Sequence, residues 1–143
     1  MKIKVIIISM LIMLLTACAS TSSNNSRAKF SALYEVRNDM SMVLEVPSAN
    51  NSISNALMVA SIQSGADTTG VVGLVSMLKN NIESVAVVGN SDAVVAATIT
   101  SSVNRLKDGS STKIYFIGAQ QYVDELSVLS EKSGVEIDAV SYP

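Results

Sequence analysis

From Glu83 onward, apolar and polar positions alternate between two periods, one of about two residues and one of about 3.6. Ser84–Val88 is a short Val-rich run ended by Gly89, which reads as a strand. Asn90 or Ser91 then offers an N-cap for a helix reaching about Lys107, with Val95, Ile99, Val103 and Leu106 on one face. Asp108-Gly109-Ser110-Ser111 is a stop and turn. Lys113–Ile117 is a second apolar strand, again ended by a glycine, Gly118. Tyr122, Val123, Leu126 and Leu129 mark a helix over Ala119–Ser133, with Gly134 at its terminating position. Val135–Val140 supplies a third strand. Strand, helix, strand, helix, strand with short loops is the grammar of a parallel sheet.

The half before Glu83 is less regular. Ser41–Val46 reads as a strand stopped by Pro47, and Ile53, Ala56, Leu57 and Ala60 repeat at helical spacing over Ile53–Gln63. Asp67 or Thr68 caps a further helix through Leu78, carrying Val71, Leu74, Val75 and Leu78 on one face. Gly70 and Gly73 leave a flank of that helix nearly bare. Each costs about 1 kcal/mol of helix propensity against alanine, so close packing on another element is expected to offset it. Phe30–Val36 fits two patterns. Phe30, Ala32, Tyr34 and Val36 alternate like a strand, whereas Phe30, Leu33, Tyr34 and Arg37 fit a helix; the expectation leans to an antiparallel edge strand. The expected fold is a small three-layer α/β domain, with a mainly parallel sheet of about four strands and helices on both faces.

The amino terminus follows a different rule. Lys2 and Lys4 form a positive n-region, and Val5–Leu15 is apolar except for Ser9. Such a run is too short for a permanent bilayer span of about 20 residues, and it reads as a secretory signal peptide. Leu15-Thr16-Ala17-Cys18, which follows, resembles the lipobox of bacterial lipoproteins. The resemblance implies cleavage before Cys18, diacylation of its thiol and acylation of the new amino terminus. Ala19 rather than an acid after the cysteine implies, by resemblance to enteric lipoproteins, sorting to the outer membrane, with the periplasmic face as the default. Cys18 is the sole cysteine of the chain, so it has no disulfide partner. Ala19–Ser26 is an acid-free run of Ser, Thr, Asn and Ala, the composition of a tether. The expected organisation is therefore a signal peptide over 1–17, a lipidated cysteine and tether over 18–28, and one domain over 29–143.

Composition narrows the function class. The mean hydropathy of +0.39 is inflated by the signal peptide, and removing Lys2 and Lys4 makes the mature chain more acidic than its formal charge of −2. A net-acidic surface with few aromatics has no basic stripe for nucleic acid. There is no histidine, which removes the commonest general base and the commonest metal ligand. Ser76-Met77-Leu78-Lys79 has the spacing of a Ser/Lys pair but lies late in a helix. Asp124 and Glu125 are sequence neighbours pointing apart. No catalytic residue, metal site or cofactor is expected.

Two readings of the surface follow. Ligands in open parallel sheets bind outside the carboxyl ends of the strands, where connections diverge to opposite faces. Asn90, Ser91, Gln120 and Gln121 are the candidate residues there for a small ligand, such as a glycan or peptide fragment. The other signal is missing charge: Asp67 alone is charged between Pro47 and Leu78, and Asp92 alone between Ser84 and Asn104. Helices on a lone monomer carry Lys and Glu on their outer faces. Charge depletion with small polar residues is the composition of a subunit contact, with Ser54, Ser61, Gly70, Gly73, Thr98 and Ser102 as candidate contact residues. The leading expectation is a non-enzymatic accessory or scaffold lipoprotein that holds an envelope protein, or copies of itself. An immunity or exclusion lipoprotein fits the same features.

Overall fold

The computed structural model describes residues 25–142. The signal segment, Cys18 and the first part of the expected tether lie outside the described residues. Four strands, β1 (Met42–Val46), β2 (Ser84–Gly89), β3 (Lys113–Gly118) and β4 (Ile137–Ser141), form one sheet. All neighbours are parallel, and the order in space is β1-β2-β3-β4, the order in sequence. The Val-rich run of β2 is buried at every position, and so is β3 after Lys113. Strands covered on both faces need continuous apolar sequence, and these two are central. The more polar β1 and β4 are the edges.

Four helices follow the strands: α2 (Ser52–Gln63), α3 (Thr69–Lys79), α4 (Asp92–Asn104) and α5 (Gln120–Ser133). Three start on side-chain caps, Asn51 to the Ser54 amide, Thr68 to that of Val71 and Ser91 to that of Val94. Gly134 closes α5 in the left-handed region, at φ 72°. Crossovers of one hand that always step the same way across a sheet fall on the same face. The main core accordingly lies on one face, where Val85, Val87, Ile114 and Phe116 of the sheet meet Leu74 and Leu78 of α3, Ile99 and Val103 of α4 and Leu126 of α5. Helix α4 is the centre of this layer and is buried at most positions along its length. The expected close packing of α3 is present: a Cβ on Gly70 would stand 3.3 Å from both the Thr98 methyl and Val46.

The opposite face is covered by one helix, α1, over residues 25–36. This corrects the expected edge strand at 30–36, and residues 25–28, expected as part of the tether, form the first turn of α1. The helical stripe runs through Ser26, Lys29, Phe30 and Leu33. Leu33 is fully buried against Ala86, Tyr115 and Ile117, with Phe30 and Ala32 half-buried beside it. Ser26 and Lys29 are buried on the same stripe despite being polar, which hid the period. The three layers are thus α1, the sheet, and the α2–α5 layer.

Arg37-Asn38-Asp39 forms a clamp that returns the chain from α1 to β1. Arg37 pairs through two nitrogens with Asp138 of β4, at 2.5 and 3.2 Å. The Tyr115 hydroxyl donates to Asp39 at 2.6 Å. That bond holds the Asp39 carboxyl below its ordinary range, while burial, helped by the same bond, pushes the Tyr115 hydroxyl up. A carboxyl lowered in the fold stabilises at pH above its unfolded value and loses that contribution as pH falls through its folded value. Asp39→Asn is therefore expected to be less stable than the parent at neutral pH, with the gap closing in acid. Denaturation midpoints against pH check this, and a gap that stays constant would overturn it.

Candidate contact surface

The carboxyl ends of the strands are occupied by the chain itself. The Asn90 side-chain oxygen accepts from the Ser26 amide at 3.0 Å. Lys29, 5% exposed, sends its ammonium to Asp92 Oδ1 at 2.5 Å and to the Gly89 carbonyl at 3.2 Å. The other Asp92 oxygen accepts from the Ala119 amide at 2.8 Å, tying the exit of β3 to the start of α4. Ser91 is the α4 cap. Gln120 is exposed and bonds Asp124 on its own helix, and Gln121 is exposed beside it. The four residues expected to bind a ligand sit near one another, but Asn90 and Ser91 already have partners inside the chain. The physical reason is topological: the strand order never reverses, so no pair of connections diverges to open a crevice. Asp92 was the signal that could have shown this, a single acid in the otherwise uncharged span from Ser84 to Asn104.

The six expected contact residues divide. Thr98 and Ser102 are wholly buried and Gly70 is buried, so none of these can touch a partner. Thr98 donates to the Val94 carbonyl of its own helix, and Ser102 reaches the Val71 carbonyl of α3 at 3.5 Å. Gly73 is half-buried, with Leu44 3.5 Å from where its Cβ would be. Ser54 is half-buried and Ser61 is exposed. Charge is missing from much of Ala93–Ser102 because α4 is inside the helical layer.

What remains open is a groove along the outer side of that layer, of about 490 Å³. Its floor is α4, through Ala93, Ala97, Thr100 and Ser101; Val59 and Gln63 of α2 form one wall, and Tyr122 and Glu125 of α5 the other. Arg105 stands at one end and is held there by Asp67 and the carbonyls of Gly65 and Ala66. The floor is small and uncharged. Nearby helices add exposed apolar side chains, Ile53 and Leu57 on α2, Val72 on α3 and Val128 on α5. A wider basin at the amino ends of the strands, lined by Lys79, Lys107 and Asp108 among others, is shallow and charged.

Among the described residues no three His, Cys, Asp or Glu side chains gather as a metal site, and no helix is long and apolar enough to cross a membrane. The fold is a three-layer α/β domain with a sequentially ordered parallel sheet. Comparison with family models, curated proteins and solved structures gave no match.

Proposed function

We propose that the protein is a lipid-anchored, non-enzymatic accessory lipoprotein of the bacterial outer membrane that holds an envelope protein, or a second copy of itself, against its helical flank. The observation that carries this is the groove over α4, whose floor of Ala93, Ala97, Thr100 and Ser101 lets another chain approach the helix backbone closely. Fixed in place by acyl chains at Cys18, the domain would need only a weak contact, because anchoring raises the local concentration of partner and surface together. The small-ligand reading has less support, since Asn90 is bonded to Ser26 and Ser91 caps α4.

The test is site-specific photo-crosslinking in cells. A crosslinking residue at Thr100 is expected to capture a discrete species, and one at Lys107 is not. Ala93→Glu, which puts a charge on the groove floor, is expected to abolish that capture without changing the amount of protein. Capture that is indifferent to Ala93→Glu, or equal at both positions, would overturn the groove as the contact.

A further inference from the structure

Charge is sorted between the two ends of the sheet. The last helical turns and loops entering the strands carry Lys79, Glu83, Lys107, Asp108, Lys132 and Glu136, among others. The segments leaving them, 47–51 after β1, 90–91 after β2, Ala119 after β3 and Tyr142 after β4, contain no charged residue. Asp92, just past the second of these, is tied to Lys29. Glu45 lies within β1, and strand alternation turns it to the face away from α2–α5.

The amino terminus leaves from this same uncharged end. Ser26 is bonded to Asn90, just past the end of β2, and Gly89 lies in register with Val46, so the start of α1 and the end of β1 lie at the same end of the sheet. Ile53 and Leu57, one turn apart at the beginning of α2, follow that end of β1 and are 75% and 67% exposed. Seven Cα steps separate Cys18 from Asn25, and no chain of that length spans more than ~25 Å.

We infer that the uncharged end of the sheet rests on the lipid surface that holds Cys18, with Ile53 and Leu57 entering its interfacial region. This rests on the lipid anchor proposed above. Two aliphatic side chains bind a bilayer weakly by themselves; beside an anchor, the contact becomes an intramolecular one. The end that carries the charged loops then stays in water, where its side chains keep their hydration. Arg27, exposed in the first turn of α1, is a cation, the sign such headgroups attract. The α4 groove runs along the flank between the two ends and so faces sideways, open to a neighbour in the same membrane.

The experiment uses the full lipidated chain in phosphatidylethanolamine–phosphatidylglycerol vesicles containing a brominated lipid. Acylation consumes the thiol of Cys18, the sole native cysteine, so a fluorophore can be placed through Ile53→Cys in one protein and Ser110→Cys in another. Quenching at position 53 is expected to exceed that at position 110 several-fold, and Leu57→Asp is expected to reduce it. Flotation of the same vesicles reads the anchor separately. A chain that does not float overturns the anchor and this inference with it. A chain that floats but is quenched equally at both positions overturns the orientation alone. Shielding at position 53 that grows with protein density and ignores the brominated lipid assigns the face to a second copy, and overturns the lipid contact.

Discussion

Asp92→Ala is expected to lower the unfolding free energy by about 3 kcal/mol, the size of effect seen when one partner of a buried ion pair is removed. The loss has two parts. Lys29 is 5% exposed and would keep only the Gly89 carbonyl as an acceptor for a buried ammonium. The Ala119 amide would also lose its acceptor at the exit of β3. Lys29→Met is expected to cost less, because its aliphatic stem still covers the sheet and Asp92 is 21% exposed to water. In the double variant the two losses should fall short of their sum, since removing both charges leaves neither buried alone. Urea denaturation of all three variants measures this. Equal costs for the two single changes, adding in the double, would overturn the account.

Leu33→Ala is the second large effect, and it is local. Leu33 is the one large side chain that α1 buries completely, and it sits against Ala86, Tyr115 and Ile117. Truncating a fully buried leucine costs about 3 kcal/mol. Here the loss falls on a helix whose other ties are the polar contacts of Ser26 and Lys29 and the half-buried Phe30 and Ala32. Release of α1 ahead of the rest is therefore expected, as sub-global opening. Amide hydrogen exchange should show residues 25–36 losing protection while β2 and β3 keep theirs. Uniform loss across the sheet would mean that α1 and the sheet unfold as one unit.

The elements most legible in the sequence are those whose burial comes from apolar residues alone. The Val-rich run of β2, the Ile114–Ile117 run of β3 and the cap and stop residues Ser91, Thr68 and Gly134 all act where their spacing places them. The misreadings share a cause, polar residues that the fold buries. Ser26 and Lys29 interrupt the apolar stripe of α1, and only the strand ends above them explain their burial. Thr98 and Ser102 look like surface positions until α3 is laid on α4, where their hydroxyls are taken up by backbone carbonyls. Strand order was not legible at all, because any order of the same four strands keeps the same local pattern. That order decides whether Asn90 and Gln120 face a crevice or a covered edge. The groove combines residues of three helices, none of which shows it alone.

The placement of α1 also sets a mechanical property. Any pull delivered through the amino terminus reaches the Ser26–Asn90 bond first, then the Lys29 contacts, then Leu33, and last the Arg37–Asp138 and Asp39–Tyr115 clamp. These fastenings follow one another along α1 and the segment after it, so tension peels them in turn instead of shearing them together. The parallel strands behind the clamp carry no load until the last of them has parted. The first helix is thus a yielding link, able to lengthen the chain leading into the domain while the sheet stays whole.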